Sequence, residues 1–205
     1  MAVAVEGGIA AAALVGAWIF QISLREQFAP WGESLAIAVV RGVLATLPML
    51  IAFWILVNSR MPRLRALREQ VEWLVKEMFP TGDVFQFAMV AALAGVGEEL
   101  LFRGILQTKI ADWTTPAVGL ILASLLFGLA HALSVLYFAF AVAVGAFLGW
   151  LAMQYDDLVA PMIAHGLYDF VALVYLSKRA RRGHVNLAAK PSQTPSEDSN
   201  RVGDE

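Results

Sequence analysis

Three segments of this chain place ionisable side chains inside hydrophobic sequence, where they could carry out chemistry. The segments are EELLFR at 98–103, FGLAH at 127–131 and HGLYD at 165–169. A charged side chain at the centre of a bilayer costs at least about 2.5–3.5 kcal/mol. Because folding alone favours leucine at such positions, we interpret the ionisable residues of these segments as parts of an active site.

The first segment predicts two roles for two adjacent glutamates. Glu98 and Glu99 point about 100° apart on a helix, so they cannot do the same job. Arg103 follows Glu99 by four residues, the favoured order for an ion pair on one helix face. We expect Glu99 to pair with Arg103, and Glu98 to face the bundle interior, where a poorly solvated carboxylate suits a general base. A charged helix end at the membrane interface is the alternative, and the apolar sequence over 84–106 disfavours it.

The other two segments supply imidazoles. His131 follows Phe127 by four residues, and taken alone it would more often be a packed interfacial histidine than a ligand. His165 and Asp169 are also four residues apart, so both lie on one face of a helix. A carboxylate one turn from an imidazole can fix its tautomer and raise its basicity. A purely structural hydrogen bond is the alternative for that pair.

Together these residues are consistent with hydrolysis of an acyl bond by an activated water. Two histidines and a glutamate match the ligand count of a catalytic zinc site, so Glu98, His131 and His165 could bind Zn²⁺. The same groups could act without a metal, with Glu98 as the base and a histidine stabilising the oxyanion. The chain has no cysteine, which excludes thiol nucleophiles and thiolate ligands. The remaining alternatives are a transporter in which Glu and His form a proton path, and a protein without catalytic activity.

Composition predicts an all-α, polytopic membrane bundle around these residues. Hydrophobic residues make up 59% of the 205 positions, against about 45–50% in an ordinary soluble domain. About six runs approach the roughly 20 helical residues that span a bilayer. We place these runs near 4–24, 35–57, 84–107, 116–132, 134–153 and 158–177. The first run contains Glu6 and has no basic residues before it, so we expect a retained helix rather than a cleaved signal peptide.

Charge patterning predicts the orientation and the division of the chain. We expect an N-terminal transmembrane pair over 1–57, a basic amphipathic helix at the membrane interface over 58–83, and a catalytic bundle over 84–177. A basic cluster and a disordered tail follow over 178–205. Both basic regions lie on one side, so the positive-inside rule places that side and both termini in the cytoplasm, with the protein in the plasma membrane. The net charge of −2 gives no indication of nucleic-acid binding.

Two further sequence features bear on packing. The glycines of GAFLG at 145–149 would let another helix approach closely, and we favour packing within the chain over a dimer contact. The oligomeric state is left open. At about 1.5 Å per residue, Glu98 and His165 lie about 20 Å from the inner surface, but His131 only about 8 Å from it. That mismatch of about 12 Å makes His131 the weakest geometric member of the site.

The motifs EExxxR, FxxxH and HxxxD, in this order, resemble the CPBP family of intramembrane proteases, the CAAX-processing and bacteriocin-immunity group also called Abi. The resemblance covers roughly 84–176. It implies a helical membrane fold with a polar cavity open to the cytoplasm and an endopeptidase that cleaves a peptide or a lipidated protein tail. A protein of this fold without catalysis, acting as an immunity or scaffold protein, is the alternative.

The resemblance also assigns residues. It implies that Glu98 activates water with Glu99 as its partner carboxylate, that Arg103 is the motif arginine, and that His131 and His165 are the motif histidines. The fourth polar position, often asparagine in the family, is Asp169 here. An ionised aspartate cannot donate a hydrogen bond to an oxyanion, so we expect Asp169 to act by orienting His165 or to carry a proton.

Overall fold

The computed structural model describes residues 2–28, 34–80 and 82–188, and within these ranges the regular structure is helical throughout. The helices are α1 (Ala2–Ile19), a 3₁₀ turn (Leu24–Gln27), α2 (Leu35–Asn58), α3 (Pro62–Met78), α4 (Val84–Glu99), a π-helical segment (Leu100–Gln107), α5 (Thr108–Trp113), α6 (Pro116–Ala130), α7 (Val135–Tyr155) and α8 (Val159–Ala188). The predicted all-α fold is confirmed.

Five helices of the described chain are long and apolar enough to cross a membrane. They are α1, α2, the continuous helix Val84–Trp113, α7 and Val159–Arg181 of α8. The run expected near 116–132 forms α6, which has only 15 residues. Large side chains such as Trp18, Leu44 and Trp54 are exposed on the outer faces, as expected for helices in contact with lipid. The chain is an integral membrane protein.

The third predicted span is longer than its apolar sequence suggested. It does not end near 107, because α4 passes into the π-helical segment and then into α5, and the whole helix has 30 residues. The wide turns of a π-helix are often found at functional sites. The Thr108 hydroxyl donates to the Arg103 carbonyl at 3.1 Å, five residues earlier. The helix ends before Pro116, which occupies the first turn of α6.

This extra length removes the depth mismatch of His131. Thirty residues rise about 45 Å, and α6 returns over about 22 Å beside the π-helical segment and α5. His131, directly after α6, therefore lies about 22 Å above the start of α4. Glu98 lies at about 21 Å on the same scale. The two residues are at the same depth because the ascending helix is longer than predicted.

Glycines bring the helices that carry the site into close contact. A Cβ atom added at Gly95 of α4 would lie 2.8 Å from the backbone nitrogen of Gly166 in α8. A Cβ atom at Gly149 of α7 would lie 2.5 Å from Gln107 Oε1. The contact at Gly95 is with backbone, so that position requires glycine, whereas a Cβ atom at Gly149 would have to displace the ends of the Gln107 and Leu120 side chains. The GxxxG glycines of α7 thus pack against the chain's own π-helical segment, as predicted.

The N-terminal helices belong to the same bundle. Helix α1 packs on α4 and the π-helical segment, whereas α2 packs on α8. Helix α3 begins with Pro62 in its first turn and buries Leu67 and Val75. It contacts α8, where Arg179 Nε lies 2.8 Å from Glu72 Oε1. The first 57 residues therefore help to enclose the site.

Helix α8 extends further than predicted. The expected disordered tail includes 183–188, but α8 continues through Ala188. Nothing in its sequence interrupts a helix until Pro191, because proline is the first residue there that cannot continue one. The rest of the predicted tail, 189–205, lies outside the described residues.

Candidate active site

The predicted site residues converge from four helical segments. Glu98 and Glu99 end α4, and Arg103 follows on the π-helical segment. His131 directly follows α6, and α8 carries His165 and Asp169. Four of these side chains line one cavity of about 210 Å³: Glu98, His131, His165 and Asp169. Glu99 and Arg103 lie behind the cavity wall and are buried.

Glu98 and His131 face each other without a direct hydrogen bond. His131 Nδ1 lies 2.9 Å from the Phe127 carbonyl and donates to it, which leaves Nε2 as an acceptor. That Nε2 atom lies 3.6 Å from Glu98 Oε2, and Glu98 Oε2 is buried without a hydrogen-bond partner in the described chain. The imidazole is held flat against Phe127, with ring centroids 4.5 Å apart. Two acceptors side by side form a place for a group that donates two hydrogen bonds, such as water.

Glu99 is the centre of a tight, fully buried network. Its Oε1 atom accepts from Arg103 Nη1 at 2.7 Å and from His165 Nδ1 at 2.8 Å, and its side chain is 0% exposed. Arg103 Nη2 donates to the Gly145 carbonyl at 2.9 Å. Buried charges are stable only when they are paired and hydrogen bonded. The network therefore joins α4, the π-helical segment, α7 and α8 around one carboxylate.

His165 lies beside two carboxylates, the predicted partner Asp169 and also Glu99. Asp169 Oδ2 lies 3.4 Å from His165 Nε2, whereas Glu99 Oε1 lies 2.8 Å from the other ring nitrogen. Glu99 on another helix is the closer partner, so it is the group that holds Nδ1. The side chain of Asp169 is 30% exposed and lines the cavity. Sequence spacing identified the partner on the same helix and could not identify the partner across the helix contact.

Sequence reasoning missed Glu6 as a site residue. Its side chain lines the same cavity as Glu98, and its Oε2 atom is buried without a hydrogen-bond partner in the described chain. Glu6 is the only ionisable residue of α1. An ionisable residue in an apolar run, the signal that identified the other site residues, was therefore present here too.

The site has the donor types of a zinc centre but not the arrangement of one. Glu98 Oε2 and the Nε2 atoms of the two histidines are the oxygen and nitrogen donors that Zn²⁺ prefers. Yet the described residues contain no group of three His, Asp or Glu side chains placed closely enough to hold a metal ion. Zinc binding by Glu98, His131 and His165 stays a prediction.

Comparison with known proteins finds a family similarity over the segment that carries this site. Residues 80–171 match the family model for Rce1-like, type II CAAX prenyl endopeptidases. The chain is also 32% identical over 99 residues to the Bacillus subtilis (strain 168) protein described as uncharacterized protein YpbD. That match covers 47% of this chain, which spans about half (48%) of the length of YpbD. No solved structure matches the chain significantly. All three motifs lie inside the matched segment, whereas Glu6 lies outside it.

Proposed function

We propose that this protein is an intramembrane endopeptidase that uses a water molecule activated by Glu98 and His131. The match of residues 80–171 to the Rce1-like, type II CAAX prenyl endopeptidase family supports this proposal. One observation carries the proposal: Glu98 Oε2 and His131 Nε2 lie 3.6 Å apart, both as acceptors, at the wall of a cavity. The family gives the reaction class, and this pair gives the place where the reaction would occur.

The nucleophile is a water that donates one hydrogen bond to Glu98 and one to His131. These two bonds leave an oxygen lone pair directed away from both residues and towards a bound peptide. Glu98 takes a proton as the water oxygen attacks the scissile carbonyl carbon, and the carbonyl electrons move to its oxygen. When the carbon–nitrogen bond breaks, Glu98 returns that proton to the leaving nitrogen. General acid–base catalysis of this kind contributes about 10²–10⁴-fold in rate.

His165 stabilises the negative charge that develops on the scissile oxygen. A carboxylate lies beside each ring nitrogen, Glu99 at Nδ1 and Asp169 at Nε2. With protons on both nitrogens, Nε2–H faces the cavity and donates to the oxyanion. In this mechanism Asp169 aligns the ring, which resolves how an aspartate can occupy a position where the resemblance led us to expect asparagine.

The substrate is a peptide or a lipidated protein tail that enters beneath α3. From Glu98 the cavity extends to apolar side chains of α3, among them Leu67, Val71 and Leu74, with Arg68 beside them. A largely apolar cavity with a few converging polar groups is typical of a ligand site. CAAX-type processing of a C-terminal tail is the activity that the family indicates.

The proposed orientation puts α3 and both termini in the cytoplasm of a cell bounded by the plasma membrane. Arg60 lies just before α3, Arg63 and Arg65 lie at its start, and Arg179 and Arg181 belong to the basic cluster on α8. The positive-inside rule then places the opening of the cavity on the cytoplasmic side. Anionic lipid would attract the basic residues of α3 and hold this helix at headgroup level.

The test is proteolysis by the purified full-length chain in lipid nanodiscs, with prenylated and unprenylated tail peptides. We expect Glu98→Gln to lower kcat/KM by at least about 10²-fold, since it removes the base. Glu69→Gln on α3 is the matched control because its carboxylate is exposed and paired only with Arg65. Normal cleavage by the folded Glu98→Gln variant would refute the mechanism and favour a scaffold protein of the same fold. Metal analysis and a chelator titration on the same sample test the zinc prediction.

A further inference from the structure

A second cavity, of about 180 Å³, lies at the end of the bundle opposite α3. It is reached from the α5–α6 end because Gln107 lies 23 residues beyond the start of α4, or about 35 Å. Its polar lining consists of Gln27, Arg103, Gln107, Thr108, Asp156 and Asp157. The proposed proteolysis uses none of these residues except Arg103, whose side chain lies between the two cavities.

Three of these side chains, Gln27, Gln107 and Asp157, are each held by hydrogen bonds to one of their two polar atoms. Gln27 Nε2 donates to the Gly104 carbonyl at 3.1 Å, and Gln107 Nε2 donates to the Gly149 carbonyl at 3.0 Å. Asp157 Oδ1 accepts from the backbone nitrogens at the start of α8, including that of Ala160 at 3.0 Å. These bonds fix which atom of each amide is the nitrogen, so the other atom of each group is an oxygen.

The other polar atom of each group, an oxygen, has no partner in the part of the chain that the structure describes. Gln27 Oε1, Gln107 Oε1 and Asp157 Oδ2 are buried and have no hydrogen-bond partner among the described residues. Gln107 is 5% exposed and Asp157 is 2% exposed, so these oxygens are also shielded from bulk water. Buried polar atoms without partners are rare in native proteins, and each calls for a bound group that supplies the missing interaction.

Two of the five N–H groups of Arg103 make hydrogen bonds, and neither bond goes to the three unpaired oxygens. Arg103 Nη1 and Nη2 donate to Glu99 and to the Gly145 carbonyl. The Thr108 hydroxyl donates to the Arg103 carbonyl. The positive charge of Arg103 is balanced by Glu99, so Asp157 adds an unbalanced negative charge to the cavity. Asp156 lines the same cavity and adds a second one. The cavity therefore suits a positively charged occupant.

We propose that this cavity is a calcium site, with Gln27 Oε1, Gln107 Oε1 and Asp157 Oδ2 as its protein ligands and the Asp156 carboxylate nearby. Carboxylate and amide oxygens are the ligands that Ca²⁺ takes, and water fills the rest of its six to eight positions. Mg²⁺ demands a nearly ideal octahedron and loses water reluctantly. Soft metals prefer imidazole or thiolate, and neither lines this cavity.

The ion would connect three parts of the fold. Gln27 follows α1, Gln107 ends the π-helical segment, and Asp157 caps the start of α8. The π-helical segment carries Arg103, and α8 carries His165. Calcium would therefore hold together the far ends of two segments that support the proposed active site, and its effect would be seen first as stability of the folded chain.

The experiment is a calcium titration of the full-length protein in lipid nanodiscs after treatment with a chelator. We expect a saturable rise in Tm with CaCl₂, because a ligand that binds only the folded state stabilises it. Isothermal titration calorimetry with CaCl₂ should give an apparent Kd of about 10⁻⁴–10⁻³ M, as for extracellular calcium modules. MgCl₂ and NaCl at matched ionic strength should produce no saturable rise.

Asp157→Asn is the informative variant. Its side-chain oxygen still caps α8, but an NH₂ group replaces the unpaired oxygen, so calcium affinity should fall at least about tenfold. Asp112→Asn is the control, because Asp112 is exposed and paired with Lys109. Where Asp157→Asn does not fold, Asp156→Asn takes its place, with a weaker loss of affinity expected.

Three results would overturn the proposal. The first is the absence of saturable calcium binding to the wild type, which would mean that water fills the cavity. The second is an equal rise in Tm with Na⁺, and the third is an unchanged calcium affinity in Asp157→Asn. None of them would affect the proposed proteolysis, which is measured separately.

Discussion

Two adjacent glutamates of one helix occupy opposite kinds of environment. Glu98 faces the cavity, and its closest imidazole atom is 3.6 Å away. Glu99 faces away, and its Oε1 atom makes contacts of 2.7 and 2.8 Å with Arg103 and His165. Each glutamate has one oxygen without a hydrogen-bond partner among the described residues, but Glu98 lines the cavity, whereas Glu99 does not and is paired with Arg103. Reactivity and support are thus divided between neighbouring residues by the 100° step of a helix.

The partners of Arg103 explain why this residue can be buried in a membrane span. A lone guanidinium there would be costly, but Glu99 neutralises it and the Gly145 carbonyl accepts a second bond. It also lies 4.5 Å from the centre of the Phe127 ring, to which His131 is stacked. Glu99 therefore holds His165 directly, and Arg103 packs against the Phe127 ring on which His131 stacks.

Glu99→Gln should cause the largest loss of folding stability, and this loss should distinguish Glu99 from Glu98. Removing one partner of a buried ion pair costs about 3–5 kcal/mol, because Arg103 would remain as an uncompensated buried charge. We expect a much lower Tm and a poor folded yield, measured by thermal unfolding in nanodiscs. Glu98→Gln, measured beside it, should unfold close to the wild type. Equal losses of Tm in the two variants would contradict the division into a structural Glu99 and a reactive Glu98.

His131→Phe should affect activity more than stability. The phenyl ring can keep the stack on Phe127 but has no Nε2 atom to hold the water, so kcat should fall by about 10²-fold. The Tm should stay near that of the wild type, since among the described residues His131 makes one side-chain hydrogen bond, to the carbonyl of Phe127 in the preceding turn. Steady-state kinetics and thermal unfolding of the same preparation give both values. Near-normal kcat would remove His131 from the mechanism.

Asp169→Asn should have a smaller effect. The Asp169 carboxylate lies 3.4 Å from His165 Nε2 and is partly exposed, while Glu99 keeps its hold on Nδ1. We expect kcat/KM to change by about tenfold or less, as for a residue that orients another. Asp169→Leu, which removes every polar atom, should lose more than Asp169→Asn. If Asp169→Asn alone lost all cleavage, Asp169 would have a direct role.

Glu6→Ala and Glu6→Gln should give the smallest change, and their difference is the useful quantity. Glutamine keeps a polar side chain of the same length in the cavity that Glu6 shares with Glu98, so it should keep kcat near the wild-type value. Alanine removes the polar group from this part of the cavity and should lower kcat by about tenfold. A structural role alone would lower Tm in both variants and leave kcat unchanged. The measurement is therefore the ratio of the kcat of Glu6→Ala to that of Glu6→Gln, and a ratio near one would exclude a role of Glu6 in catalysis.

Motif spacing was sufficient to select Glu98, His131 and His165, because each stands out from an apolar run and helical periodicity places it on a definite face. Spacing along the chain also predicted that Arg103 would lie beside Glu99. It could not predict the contact of Glu99 with His165, since these residues are 66 positions apart. It also could not predict that Glu6 approaches Glu98.

The sequence alone determined that this protein is a helical membrane protein with ionisable residues at its centre, because composition and local periodicity need only neighbouring residues. Tertiary structure decided which of these residues meet. The 30-residue helix Val84–Trp113 set the depth at which α6 returns His131 to Glu98, and Gly95 let α8 bring His165 to Glu99. Such contacts depend on helix length and close approach between distant segments, and no local pattern encodes them.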